Sequence, residues 1–273
     1  MRVLVLGAGV VGVSSAWFLR ELGHEVVVAE RQPGPALETS FANGGQVSAS
    51  HAEPWANPAA PRRILGWLGR ADAPLLFRPR AELQQWLWGA AFLRECTASR
   101  RAANIRAILA LALHSRAVVK RLRRELRLEY DCAERGILHF YTDRREYEAS
   151  LAPASLMRAL GCDRRPLSPQ EAIELEPALA PIGDRLVGAD YCADDESGDA
   201  HLFTRQLARR CAERGVGSSL AQRSSRCRWK PGWSEERLFG TAPVPDRSFR
   251  PMLWSSALAC ILWHCCARSV CAC

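Results

Sequence analysis

The chain opens on a unit that leaves few folds open to it. Arg2-Val-Leu-Val-Leu6 is a short apolar run of strand type, and Gly7-Ala-Gly9-Val-Val-Gly12 follows without a gap. A helical pattern then runs from Val13 to Leu22, and Glu25-Val-Val-Val-Ala29 ends on Glu30. Strand, glycine turn, helix, strand and acid in this order predict a dinucleotide-binding unit. Gly7 permits a tight turn, Gly9 lets a pyrophosphate approach the backbone, and Gly12 lets the helix lie close on the sheet. The helix N-terminus offers unpaired N–H groups and partial positive charge to phosphates. Glu30 ends the second strand, where a carboxylate accepts ribose hydroxyls, which favours FAD or NAD over NADP.

Arg2 before an apolar stretch also fits a signal peptide or a membrane span. We set that reading aside: Arg20, Glu21 and His24 close the run, no small-residue cleavage site is convincing, and a span needs about twenty apolar residues. A chain of 273 residues can hold one large domain or two small ones. The net charge of +8 is spread along the chain, with arginine far ahead of lysine. Nucleic-acid binding would need that charge clustered on one face, so no nucleic-acid partner is expected; a generally basic surface still suits an anionic membrane. Of the eleven cysteines, Cys96, Cys132, Cys162, Cys192 and Cys211 are scattered and the rest crowd the segment after 226.

From Arg31 to Gly45 the chain reads as a loop, with Pro33-Gly34-Pro35 and then Glu38-Thr-Ser40-Phe-Ala-Asn43-Gly44-Gly45-Gln46-Val47-Ser48. Small residues, hydroxyls and paired glycines suit a backbone lying against a flat ligand, and equally an ordinary surface loop. Glu30-Arg31 with Thr39-Ser40 and Ala42 to Ser48 resembles the FAD-binding segment of the bacterial D-amino acid dehydrogenase small-subunit family, in the D-amino acid oxidase/glycine oxidase superfamily. Pro54-Trp55-Ala56, Arg78-Pro79, Trp86 and Trp88, Ala98-Ser-Arg100 and Asp194 to Asp199 running into Leu202-Phe203-Thr204 add to the resemblance, which covers Met1 to about Gly215.

The resemblance implies an α/β chain with a Rossmann-like FAD/NAD(P)-binding fold, an inserted α+β substrate domain, and an incomplete C-terminus. It implies an FAD-binding part over 1–80, a substrate part over 81–193 and a return over 194–215. It places FAD contacts at Val5, Leu6, Gly7, Ala8, Gly9, Val10, Val11, Gly12, Glu30, Arg31, Ser40, Asn43, Gly44, Gly45, Gln46 and Val47. The implied chemistry is oxidation of a D-amino acid to an imino acid that hydrolyses to a 2-oxo acid and ammonia. Electrons would pass to a membrane quinone chain, from a cytoplasmic enzyme peripheral to the inner face of the bacterial inner membrane. The flavin carries the chemistry, so no catalytic residue is assigned. A glycine/sarcosine-oxidase-like amine oxidase or nicotinamide enzyme, and a remnant that no longer binds FAD, are the alternatives.

Patterning predicts helices over 62–69, 81–95, 144–160 and 200–214, and strands over Gly136–Tyr141 and Arg185–Tyr191. Ser168-Pro-Gln-Glu171 reads as a capping box opening a helix that Pro177 stops. Asn104 to Leu126 reads as an amphipathic helix with Ile105, Ile108, Leu109, Leu111, Ala112, Val118, Val119 and Leu122 inward; Arg116, Arg121, Arg123, Arg124 and Arg127 are then expected as a solvated face. His139 is expected as core or surface. The Asp194–Asp199 acid run could be a metal loop, but the resemblance makes it the return connection, and no metal is assigned.

After Gly215 the character changes: periodicity fades, and the tail ends in His264 with crowded cysteines that lack paired C-x-x-C spacing for a zinc site. Back-translation with G or C third bases, read one frame over, turns three separate stretches into strand- and helix-like sequence, including an Asp-Ala-Val-Val-Val strand. We therefore read residues 216–273 as a frameshifted, non-native tail. Sequencing the gene across codons 213–218 tests this; an intact frame there contradicts it. The missing remainder would leave apolar faces uncovered, at about 25 cal/mol per Å² against a net stability of roughly 5–15 kcal/mol. Poor solubility, weak flavin binding and little activity are the expectation.

Overall fold

A computed structural model describes residues 1–67, 70 and 79–219. Arg78 of the Arg78-Pro79 pair and the tail from 220 to 273, with its His264 and cysteines, lie outside them. The chain forms two compact units, one of Met1–Asn43 with the chain from Ala200 onward, the other of Gly44–Asp199. The two units meet at 43/44 and 199/200, not at the 80/81 and 193/194 that the resemblance implies.

In the first unit, β1 (Arg2–Leu6), α1 (Val10–Glu21) and β2 (Glu25–Ala29) follow the predicted order, with α1 beginning a turn earlier than expected. β1 and β2 pair in parallel, Arg2 opposite Glu25 and Leu6 opposite Ala29. Parallel pairing requires a crossover, which α1 provides. β3 (Gln46–Val47) belongs to the second unit.

In that second unit α2 (Ala60–Trp67), α3 (Leu83–Glu95) and α4 (Ala98–Leu126) are followed by β4 (Ile137–Tyr141), α5 (Arg144–Ala159), β5 (Arg164–Leu167) and α6 (Pro169–Leu175). A 3₁₀ segment, Pro177–Arg185, leads to β6 (Gly188–Cys192) and β7 (Glu196–Ser197). The Ser168 capping box forms as expected, its hydroxyl accepting from the Glu171 amide and the Glu171 carboxylate accepting from the Ser168 amide. Pro177 ends α6 and opens the 3₁₀ segment, because proline at a first helical position removes only an orphan donor. The antiparallel order β4-β6-β5 puts Pro166 on an edge strand, the place where a missing N–H is tolerated. Ala49, Ile105, Leu109, Met157, Cys162 and Cys192 form one core of this unit, and Ala172, Leu179, Leu186 and Ala189 another.

The chain returns to the first unit through α7 (Ala200–Glu213) and β8 (Gly217–Ser219), which pairs in parallel with β2 to give the order β1-β2-β8. α7 packs on α1 around buried Trp17, whose ring carries the Arg214 guanidinium at 4.1 Å.

α4 departs from expectation. Arg116 and Arg123 point inward, while Ile108 and Leu111 are exposed. Arg116 reaches Asp195 at 2.7 Å, and Arg123 reaches Glu196 at 2.9 Å. Arg121, Arg124 and Arg127 are exposed as predicted. The acid run is thereby tied down by α4, and among the described residues no cluster of His, Cys, Asp and Glu is arranged to hold a metal.

Candidate functional site

The glycine turn forces an unusual backbone. Gly7 has φ of +97°, in the left-handed region that costs an L side chain energy. Its amide donates to the Ala29 carbonyl at 2.8 Å, locking the turn to the end of β2. Gly12 is required for a different reason: a Cβ there would sit 2.0 Å from the Gly7 carbonyl oxygen. Its small size thus lets α1 close on the turn itself, more tightly than on the Val5 side chain at 3.5 Å.

At the mouth of α1 the Glu30 carboxylate accepts the Ala8 amide at 2.6 Å and the Gln32 amide at 2.9 Å. The Ser40 hydroxyl accepts the Val10 amide at 3.0 Å. Gly9 is the N-cap and contributes no side chain, and the first turn carries no acid. Of the N–H groups that every helix leaves unsatisfied at its start, those of Gly9, Val11 and Gly12 have no protein acceptor among the described residues. Leu6 and Val11 flank them with 52% and 64% of their surface exposed, unusual for apolar side chains at a strand end and in a helix's first turn. The arrangement is suited to an anion on the amides and an apolar body beside it.

The loop that leads to Ser40 is tied down at Ala36. The Ala36 amide donates to the Ala8 carbonyl at 3.0 Å, and His201 Nδ1 lies 2.9 Å from the Ala36 carbonyl. Arg31 forms a two-pronged pair with Glu38, both contacts at 2.6 Å. The Arg31 bond holds the Glu38 carboxyl below its usual range, with the Gln32 amide helping. Asn43 Nδ2 turns back to the Thr39 carbonyl at 3.3 Å. The structure therefore gathers Val5 to Gly12, Glu30 and Ser40 at one mouth, with Arg31 and Asn43 on the loop that carries Ser40. Gly44, Gly45, Gln46 and Val47 belong to the other unit. There Gly45 has φ of +61°, and its carbonyl accepts the Gly198 amide at 2.8 Å. β3 pairs with β7, a two-residue ladder too short for periodicity to show.

The second unit holds a polar cluster that the sequence did not disclose. Asp195, fully buried, accepts the hydroxyls of Ser50 at 2.6 Å and Ser48 at 2.7 Å, the Ala49 amide at 3.0 Å and Arg116. Burial by itself raises this carboxyl; the two serines, the amide and Arg116 outweigh it and hold it below the usual range. Ser50 has one hydrogen and gives it to Asp195, so the 2.8 Å contact from His139 has Nε2 as donor. The His51 ring lies against that of His139 in a tilted contact, 4.3 Å between centroids. Burial, then Arg164 and His51, push the His139 imidazole down to about 4, against the attraction of Asp190 and Asp195.

That shift has a sign. The folded state resists protonation, so the unfolded chain binds the proton first; stability is full above about 6.5 and falls as pH drops toward about 4. After allowance for partial exposure the loss is about 2–3 kcal/mol. Urea midpoints at neutral pH and near pH 5 should differ accordingly, and His139→Gln should flatten the slope. An unchanged slope would place the acid sensitivity elsewhere.

A cavity of about 610 Å³ also lies in the second unit, lined by Trp55, Ile64, Trp67, Phe92, Arg101 and Tyr141 among others. Arg101 on its wall pairs with Glu53.

Comparison with known proteins shows the family. The family model described as FAD dependent oxidoreductase matches residues 2–224. D-amino acid dehydrogenase of Dechloromonas aromatica is 56% identical over 216 residues, 79% of this chain and 52% of the relative. That of Paramagnetospirillum magneticum is 51% identical over 217 residues, 79% and 51% of the two chains. The chain spans about half the length of these curated relatives. Among solved structures, glycine oxidase from Geobacillus kaustophilus superposes with a TM-score of 0.54 at 23% identity, over 80% of this chain and 46% of that one. L-proline dehydrogenase from P. horikoshii gives 0.54 at 17%, over 81% and 44%. These two share the fold.

Proposed function

The chain belongs to the FAD dependent oxidoreductase family, and from that premise we propose that the mouth of α1 holds the adenosine diphosphate half of FAD. The observation that carries this is the Glu30 carboxylate 2.6 Å from the Ala8 amide. It puts the acid, the glycine turn and the open amides of α1 in one place, as a ribose next to a pyrophosphate requires. The Gly9, Val11 and Gly12 amides receive the phosphates, Glu30 accepts the ribose hydroxyls, and exposed Leu6 and Val11 cover the apolar part. Arg31 and Asn43, on the loop of the same unit that carries Ser40, complete the proposed contact set there.

The activity we assign is that of the long relatives: oxidation of a D-amino acid to a 2-oxo acid and ammonia. When bound, FAD supplies the hydride acceptor. Electrons then leave to a quinone acceptor at the inner face of the bacterial inner membrane, where the protein sits peripherally. Because the chain spans about half of those relatives, we expect it alone to bind FAD weakly and to reduce dye with D-alanine near background. Vigorous turnover by the isolated chain would contradict this.

Glu30→Ala is expected to weaken FAD about tenfold, the scale of one lost hydrogen bond to a charged group. The reference is flavin fluorescence titrated against the unchanged chain. NADP⁺, with a phosphate facing the acid, should compete poorly; NADP⁺ binding ahead of FAD would overturn the assignment.

A further inference from the structure

Two of the scattered cysteines meet in the second unit. Cys162 and Cys192 are 1% and 0% exposed, in the core that holds Ile105, Leu109 and Met157. Their sulfurs lie 3.9 Å apart, and both are free thiols. They come together because β5 runs antiparallel to β6, with Arg164 opposite Cys192. Cys162 lies two residues before that pairing, in the turn between α5 and β5.

Burial alone would leave such a pair inert. Two local features set it apart. The first is access. Leu160, Gly161 and Asp163 around Cys162 are exposed, and so are Ala193 and Asp194 after Cys192. Each thiol is thus turned inward from a backbone that lies at the surface. Gly161, with φ of +93°, closes the turn that carries Cys162. Local opening of that turn, with the rest of the unit folded, brings Cys162 to solvent. The second feature is charge. The Arg116 guanidinium lies 4.0 Å from the Cys192 sulfur. The Cys162 S–H, and after it Arg116, favour thiolate at Cys192 against burial and the Asp195 carboxylate. Donating that hydrogen holds the Cys162 thiol up, and burial adds to it.

We propose that Cys162 and Cys192 form a modification site, closed to a disulfide by low-molecular-weight disulfides of the glutathione type. In the opened turn the Cys162 thiolate attacks the reagent RSSR, forming Cys162–S–SR and releasing RS⁻. When the turn recloses, the Cys192 thiolate attacks the Cys162 sulfur and expels the second RS⁻. The two thiol protons pass to the two RS⁻, and two electrons pass from the cysteines to the reagent. The sulfurs close from 3.9 Å to a bond of about 2.05 Å.

The bond joins positions 30 apart in sequence and ties the end of α5 to the end of β6. The Asp195 amide donates to the Cys192 carbonyl at 3.4 Å, so the chain entering the Asp195 cluster is held as well. Closing a loop of this length restricts the unfolded chain, which makes the oxidised form the more stable one. The pair lies within the second unit and does not depend on the flavin reading.

The full folded chain is incubated with glutathione disulfide, its remaining thiols are blocked with N-ethylmaleimide, and tryptic peptides are mapped without reduction. Peptides 159–164 and 186–205, each with one cysteine, should be recovered linked. Dithiothreitol should separate them. The oxidised chain should melt about 5–10 °C above the reduced one. Cys192→Ala should instead hold glutathione on Cys162 and show no such rise. Cys192→Ser replaces it if the alanine variant has lost the parent's circular dichroism. Recovery of both peptides with maleimide alone, or linked chiefly to cysteines of the tail, overturns the proposal. So does a link that forms in urea and not in the folded chain, or one that leaves the melt unchanged or lower. Absence of glutathione from Cys162 in a folded variant overturns the proposed route.

Discussion

Gly12→Ala is expected to abolish measurable flavin binding and to destabilise the first unit. The added Cβ would lie 2.0 Å from the Gly7 oxygen and 3.0 Å from its carbon. Both are backbone atoms of a turn already locked to Ala29, so no side chain can swing away. α1 must lift from the turn, which separates its open amides from Glu30. Overpacking of this kind costs about 1–3 kcal/mol, and moving several phosphate-binding amides together should weaken FAD at least about a hundredfold, or roughly 3 kcal/mol. Gly89→Ala provides the contrast. Its Cβ meets nothing within 4 Å, in the middle of α3. That change should stabilise by about 0.5–1 kcal/mol. Flavin titration and thermal melts on the two variants read both effects; similar behaviour would mean that the turn yields easily and steric closure at Gly12 is unimportant.

Asp195→Ala should be the most damaging single change in the second unit. It removes the acceptor for two serine hydroxyls and two backbone amides and leaves Arg116 buried without its closest partner. Breaking a buried ion pair from one side costs about 3–5 kcal/mol, a large part of a typical net stability of roughly 5–15 kcal/mol. The Asp195→Ala, Arg116→Met double variant should recover part of the loss, since the stranded charge goes with its partner. Urea unfolding followed by tryptophan fluorescence measures both. A single-variant loss below about 1 kcal/mol would be the behaviour of a solvated surface pair.

The first unit was legible because its requirements are local and steric. Gly7, Gly12 and Glu30 fall at fixed offsets along one stretch of chain, and each answers to a constraint set by its immediate neighbours. Local capping was equally readable at Ser168 and Glu171. The second unit resisted because its decisive partners are far apart in sequence. Arg116 and Arg123 continue the stripe of Ile105 and Leu109 at helical spacing, yet a pattern of apolar residues treats any arginine as outward. Only the arrival of Asp195 and Glu196 from the far end of the unit turns them inward. The Ser48, Ser50 and His139 cluster is hidden for the same reason. β3 and β7 are two residues each, below the length at which alternation means anything.

On the proposed reading, an adenine dinucleotide meets this chain at the mouth of α1. Calorimetric titration of FAD into the full chain, with the Glu30→Ala variant in parallel, tests it most directly. The account expects saturable one-to-one binding, weak beside that of the longer relatives and weakened about tenfold further in the variant. Undetectable binding by a chain whose circular dichroism shows it folded, or equal affinity with and without the Glu30 carboxylate, would contradict it.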